Sequence, residues 1–415
     1  MTRRYFRSLG VPLAIASATL LGLTSPFTSG AHTVTTAVTL LDNEALIMAG
    51  TGPCCTSTAP LITPGPPYTT EVDQLFIAPN YPGYTPVGLA TPEQFAPFVG
   101  TESLNTSISG GVTDLTNAVT QQLAEGNDVV VFGTSQSATV STVYEDGLAA
   151  LTANARPSPD QLSFVLVGDP DNPDGGLFER IPGVTVPLLG YTTFFGPTPD
   201  DLYPTIVDTG QYDGFADFPQ YPLDIPADLN ALLGVAYVHA DYLGLTPAQI
   251  AAGVVEPVTA ADTDTTYVLI PTQDLPLLDP LRQIGVPAAL LDLIQPDLRV
   301  LIDWGYGDGY ANVATPFGLF NTDVSLTTLA TDLVTGAQQG LQAALVDLGV
   351  LPASDLPDAY PYLAEVGGLY SSAPAAGSDA LLSTGSGTLD GPIGSTLAEL
   401  GFAPASLTSI LDLLA

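Results

Sequence analysis

The segment NDVVVFGTSQSATVSTVYEDG, residues 127–147, puts a serine where a β-branched run gives way to small, helix-compatible residues. Val129 to Phe132 read as a buried strand, and Gly133-Thr134-Ser135-Gln136-Ser137 follows directly. A serine between a strand and a helix can be raised on a sharp turn, its hydroxyl near a helix N-terminus whose dipole favours developing negative charge. The pattern departs from G-x-S-x-G by one hydroxymethyl group, since Ser137 stands at the last glycine. The same five residues would also suit a plain polar helix cap, with Thr134, Ser135 or Ser137 as N-cap. As a nucleophile, Ser135 would do acyl-transfer chemistry and would need a base, an acid to orient that base, and donors for an oxyanion.

The chain has only two histidines, His32 and His239. A residue near a loose terminus cannot hold an imidazole in hydrogen-bond geometry, so the base falls to His239 in LNALLGVAYVHADYLG. Leu229, Leu232, Leu233 and Ala236 form one helical stripe that would anchor this segment. The hydrolase order serine, acid, histidine restricts the orienting acid to residues 138–238. Asp213, at the end of the strand-like run TIVDTGQY, comes first; Asp217, four residues on, is the alternative, and Asp169 after the strand LSFVLV is third. For the oxyanion, one N–H would come from Gln136 and a second from the loop Gly50-Thr51-Gly52, with Thr51 the choice; a simple tight turn is the rival reading of that loop.

The elements that must position these residues read as α/β. EALIMAG (44–50), DVVVFG and LSFVLVGDP (162–170) are apolar runs of strand length. Between the first two lies LNTSISGGVTDLTNAVTQQLAEG (104–126), whose Val112, Leu115, Val119 and Leu123 follow a helical period closed by Gly126. STVYEDGLAALTANA is read as helical. Fully apolar strands between helices belong to a parallel sheet covered on both faces, whose reactive edge lies beyond the carboxyl ends of the strands. Further on, LRVLIDWGY (298–306) reads as strand-like, and residues 255–315 as the part of the domain that would cover an acyl site. SLTTLATDLVTGAQQGLQAALVDLGVL reads as an amphipathic helix, SSAPAAGSDALLSTGSGTLDGP as a flexible linker, and LAELGFAPASLTSILDLLA as a last helix.

With 415 residues and 46% hydrophobic content, the chain can bury a large core. Arg3, Arg4 and Arg7 precede an apolar stretch from Leu9 to Leu23 and the small residues Ser29-Gly30-Ala31, an export signal expected to be cleaved after Ala31. The stretch is shorter than the ~20 residues of a spanning helix and is interrupted by Gly10, Pro12 and Gly22. Cleavage would leave four basic residues against 43 acidic ones, a net charge of −39. Such a surface repels a phosphate backbone, so nucleic acid is excluded as a partner. The adjacent Cys54 and Cys55 cannot staple distant loops and, with two histidines, make no ready zinc site; a vicinal disulfide and two buried thiols both stay open. No metal and no cofactor are expected.

Seven blocks in order, GTG after the first strand, GTSQSA, VGDPDNPDGGLFERIPG, YDGFADFP, LNALLGVAYVHADY, TYVLIPTQDLPLLDPLRQIG and PDLRVLIDWGYGDG, resemble the PE-PPE domain, a cutinase-like serine α/β-hydrolase module of mycobacteria and their relatives. The likeness covers residues 75–315. It implies a cutinase-like α/β-hydrolase fold, with a mostly parallel central sheet and helices on both faces. It implies a triad of the serine in GxSx[GS], the aspartate of the YD block and the histidine of the H-x-x-Y block. Those fall on Ser135, Asp213 and His239, with Asp213 against Asp217 still open. Many members carry a PE or PPE helical domain in front, where this chain has an export signal. The expected organisation is a signal peptide at 1–31, a hydrolase domain at 32–315 and a helical, Ala/Gly/Ser-rich extension at 316–415. The expected function is a secreted or envelope ester hydrolase acting on acyl, lipid-like carboxylic esters. An acyltransferase moving acyl groups between trehalose-type glycolipids, or a non-catalytic envelope module, are the alternatives. The expected partners are an acyl ester or glycolipid substrate and, peripherally, the cell envelope.

Overall fold

The computed structural model describes residues 43–352 and 354, apart from residues 53–60, 187–190, 193–195, 260–262, 308 and 323. The segment expected to be an export signal, His32, the Cys54-Cys55 pair, and the stretches expected to be a linker and a last helix therefore lie outside the described residues.

Seven strands form one sheet: β1 (Glu44–Ile47), β2 (Thr85–Gly88), β3 (Val129–Thr134), β4 (Leu162–Val167), β5 (Thr205–Gly210), β6 (Val254–Val255) and β7 (Thr265–Ile270). Their order is β2-β1-β3-β4-β5-β7-β6, and every pairing is parallel except that of β6 with β7. Side chains alternate across the sheet as the pleat requires. Leu46, Val129, Val131, Phe164, Leu166, Val207 and Tyr267 pack on one face, and Ala45, Ile47, Val130, Phe132, Val165 and Val167 on the other. Both faces are dry, which is why these strands read as continuous apolar runs. This is the architecture of an α/β-hydrolase.

Helix α1 (Leu104–Glu125) covers the first face with Leu104, Ile108, Leu115 and Val119. Ser103 caps its start by accepting the Thr106 N–H, and Gly126 ends it in the left-handed region at φ 91°. Helix α2 (Gln136–Ala149) follows β3 with Ser135 alone between them and adds Ala138, Val140 and Tyr144 to the same core. Helix α3 (Ile225–Tyr237) is capped by the Asp224 carboxylate, which accepts the Ala227 N–H. Its buried face is made of Ala227, Asn230, Ala231, Gly234 and Ala236, so the expected anchoring stripe is corrected: of its four residues Ala236 is buried, Leu229 and Leu233 are half-buried, and Leu232 is 49% exposed. The reason is close approach. A side chain on Gly234 would collide with the Tyr212 carbonyl, and one on Gly214 with the Ala231 carbonyl, so only small residues let α3 lie on the Tyr212–Gly214 turn.

The strand expected in LRVLIDWGY is not formed; those residues belong to helix α4 (Ala288–Asp303) and the turn after it. Leu291, Gln295, Arg299 and Ile302 line its buried side at helical spacing. Its last turns read as a strand because α4 is covered by α3 on one side and by α5 (Leu326–Asp347) on another, which makes the run apolar nearly all round. Gly336 and Gly340 of α5 meet α4 where Cβ atoms would strike Asp297 and Leu293. That end of the sheet is built instead by TTYVLI, the β7 strand, with the short β6 pairing along its outer side.

Candidate active site

Four neighbouring strands end at the same edge of the sheet, and each hands over a piece of one site. After β1 comes Gly50-Thr51, after β3 comes Ser135, after β4 comes Gly168, and three residues after β5 comes Asp213. The register holds them level, since Ile47 pairs with Phe132, Thr134 with Val167, and Val167 with Asp208. Loops at the carboxyl edge of a parallel sheet are where such a fold places its chemistry.

Ser135 sits at φ 54°, ψ −121°, a conformation strained for any residue with a side chain and characteristic of a nucleophile elbow. The turn is held on both sides: the Ser135 N–H donates to Val167 O at 3.1 Å, and its carbonyl accepts the Ala138 N–H at 3.0 Å. A Cβ on Gly133 would lie 2.6 Å from Ser137 O, so the strand and helix can approach only with glycine there. Ser137, the departure from G-x-S-x-G, is used structurally. Its Oγ accepts the Thr134 N–H at 2.8 Å and donates to Thr134 O at 3.1 Å, closing the elbow with its own side chain.

His239 opens a short 3-10 segment (His239–Gly244) directly after α3. Its Nε2 lies 2.8 Å from Ser135 Oγ, and its Nδ1 lies 2.8 Å from each oxygen of Asp213. An ionised carboxylate only accepts, so Nδ1 carries the ring proton and Nε2 is left to receive the Ser135 hydroxyl proton. The Phe215 ring packs against the imidazole at 4.8 Å between centroids, and Tyr242 meets it edge-on at 6.2 Å. The imidazole side chain is 11% exposed and Asp213 is fully buried, so the pair sits inside the protein with one end open at the serine.

Asp213 is surrounded by donors. Oδ1 accepts the Phe215 N–H at 2.7 Å and the Ala216 N–H at 3.1 Å, and Oδ2 accepts the Tyr242 hydroxyl at 2.6 Å. Burial acts to push this carboxyl up, but the imidazole beside it, the Tyr242 hydroxyl and the Phe215 N–H outweigh burial and hold it below the usual carboxylate range.

The two other expected acids are elsewhere. Asp217 is buried and directs Oδ2 to the Tyr212 N–H at 2.7 Å; burial pushes its carboxyl up to about 7, with the Tyr212 N–H and Arg180 pulling it partly back. Asp169 accepts the Asp171 N–H at 3.0 Å and the Thr198 hydroxyl at 2.6 Å, and burial pushes it up to about 6. Neither is bonded to His239.

The loop expected to supply the second oxyanion donor passes beside the serine: a Cβ on Gly50 would lie 3.1 Å from Ser135 Cβ. Gln136, the first residue of α2, has no acceptor for its N–H inside the helix. Its side chain does what sequence reasoning did not foresee. Nε2 donates to Thr51 Oγ1 at 2.7 Å and to Gln94 O at 3.0 Å, while Oε1 accepts the Ser107 hydroxyl at 2.6 Å. Gln136 thus ties the Thr51 loop to α1 and to itself. Tyr242 was also missed as a participant, although its place three residues after His239 was visible.

The family model described as the PE-PPE domain matches residues 82–307. In Mycobacterium tuberculosis (strain ATCC 25618 / H37Rv), Esterase PE16 is 54% identical over 66% of this chain and 51% of its own length. From the same organism, SL1278 acyltransferase Chp1 is 34% identical over 58% of this chain and 59% of its own. Diacyltrehalose acyltransferase Chp2 is 32% identical over 50% and 59%. The chain spans about half the length of Esterase PE16 and under two thirds of either acyltransferase.

Proposed function

The chain belongs to the PE-PPE domain family, and on that premise we propose that it is a serine ester hydrolase cleaving acyl carboxylic esters through an acyl-enzyme on Ser135. The observation that carries this reading is the unbroken line Ser135 Oγ, His239 Nε2, His239 Nδ1, Asp213, with 2.8 Å at each hydrogen bond, on a strained elbow at the open edge of the sheet.

The chemistry follows from the geometry. His239 Nε2 takes the Ser135 proton as Oγ attacks the ester carbonyl, and the Asp213 carboxylate stabilises the imidazolium that forms. The carbonyl oxygen, now an oxyanion, is received by the Gln136 N–H at the head of α2 and the Thr51 N–H across from it. The imidazolium returns its proton to the leaving alcohol, leaving acylated Ser135. Water then repeats the cycle with His239 as base, releasing the free acid.

A second reading keeps the same acyl-enzyme and changes the acceptor. An alcohol in place of water would make the protein an acyltransferase, and the names of Chp1 and Chp2 favour keeping it. An export signal at residues 1–31 would deliver either activity to the exterior or the envelope, where lipid-like esters and trehalose-type glycolipids are substrates of fitting chemistry.

The test is a fluorophosphonate label with mapping of the modified residue, alongside turnover of short to medium acyl p-nitrophenyl esters. Wild-type protein labels at Ser135 and turns over; S135A does neither while remaining folded, and H239A loses on the order of 10³-fold or more in turnover. Equal labelling of S135A would reject the site, and a loss below about tenfold in H239A would place the base elsewhere.

A further inference from the structure

We propose that Tyr242 is a positioning residue of the active site: its hydroxyl holds the Asp213 carboxylate in the orientation and charge state in which it acts on His239. This rests on the hydrolase reading above and adds a fourth side chain to it.

The direction of the hydrogen bonds is unambiguous. The Gly210 N–H donates to Tyr242 Oη at 2.8 Å, so the oxygen is already an acceptor on that side and its single proton is directed to Asp213 Oδ2 at 2.6 Å. Tyr242 and His239 are the two side chains that donate to this carboxylate among the described residues; its other donors are backbone N–H groups. A short donor to an ionised oxygen is about twice as strong as a neutral pair. The charged groups that act on the Tyr242 hydroxyl are Asp213, in contact, and Asp217 behind it.

The backbone is shaped around this contact. Gly168, at φ 61° after β4, is where an added Cβ would lie 2.7 Å from the Tyr242 ring, 3.2 Å from Asp213 Oδ2 and 3.2 Å from the His239 ring. Gly210, whose N–H holds the hydroxyl, would bring its own Cβ to 3.3 Å from the Tyr242 oxygen. Two strand ends therefore carry glycine where tyrosine, aspartate and histidine converge. A tyrosine serving only to fill the core would need the clearance but not the directed proton.

Removing the hydroxyl concentrates the carboxylate charge on the remaining side-chain donor, the His239 Nδ1–H, and stabilises the protonated ring. In Y242F the His239 ring should titrate at higher pH than in the wild type, by on the order of one unit. The acid limb of kcat/KM should move with it, kcat should fall about tenfold, and KM should stay within about a factor of two. In a D213N background, Y242F should cost little further, because the partner it acts through is gone.

The deciding measurement is an NMR titration of the histidine rings, of which the chain has two, with His239 assigned by its loss in H239A. An unchanged ring titration in Y242F overturns the proposal whatever the esters do. Failure of Ser135 to label would instead reject the hydrolase reading, and the ring titration would still decide for or against Tyr242. Should Y242F not fold, the wild-type protein serves: a slowly exchanging, downfield tyrosine hydroxyl proton that moves upfield in D213N supports the contact, and its absence refutes it.

Discussion

Asp217 gives its carboxylate to the Tyr212 N–H at 2.7 Å and not to His239, although it lies four residues from the aspartate that meets the imidazole. Tyr212 needs that hold. It stands at φ 69°, unusual for a bulky residue, and is fastened from the other side by its hydroxyl to Asp303 and by Arg299 of α4. The turn that presents Asp213 is thereby strapped by one acid and used through the other.

The two aspartates should accordingly separate by assay. D213N should lower ester turnover by up to ~10⁴, because the amide favours the wrong imidazole tautomer. D217N should act mildly on kcat and chiefly on thermal stability. Measured kcat and melting temperature for both variants check this, and the reverse ranking in kcat would transfer the role to Asp217.

Loss of the Gln136 side chain should loosen the loop proposed to supply the second oxyanion donor, without touching the serine or the imidazole. Q136A leaves its own N–H in place but releases Thr51 and the Ser107 hydroxyl. Turnover should drop by about 10²-fold, the scale of one displaced oxyanion donor, while fluorophosphonate still labels Ser135. A variant with wild-type kcat would show that the clamp does not set the loop.

Stability should be greater in mild acid than in mild base. Burial raises Glu93 from 4.5 to about 8, and Asp208 and Asp217 from 3.8 to about 7. In that window the folded chain holds more protons than the unfolded one, so unfolding free energy falls as pH rises. The contribution is complete below about pH 4 and is lost through about pH 7 to 8. Asp213, lowered, works in the opposite sense but only below its ordinary value of 3.8. Melting temperatures at constant ionic strength should therefore climb from pH 8 to pH 5; a flat or inverted profile would contradict the burial of these groups.

Water and alcohol acceptors are separable by product. With trehalose or glycerol added to an acyl p-nitrophenyl ester, a plain esterase releases free acid alone at every acceptor concentration. A transferase yields acyl-sugar or acyl-glycerol, and its p-nitrophenol release quickens if deacylation limits the rate. Mass spectrometry of the products reads the partition directly.

Much of this organisation is written locally. A β-branched run, a glycine, a serine and a helix are contiguous in the chain, so the strand-to-helix junction at Ser135 could be read from residues 127–147 alone. The covered parallel sheet could be read from the absence of polar alternation in its strands. His239 emerged from scarcity, since the chain offers two histidines. What crosses the fold could not be read this way. Asp213 and Asp217 share one turn, and which of them faces the imidazole depends on α3 pressing its small residues onto that turn. Residues 298–303 were misread because burial between two helices erases the polar face that marks a helix period. The Tyr242 hydroxyl and the Gln136 amide acquire their partners 29 and 85 residues away only when strand ends are set side by side. Local sequence specifies which groups exist and what conformations they prefer; their hydrogen-bond partners are set by the sheet order and by glycines that let distant backbones approach.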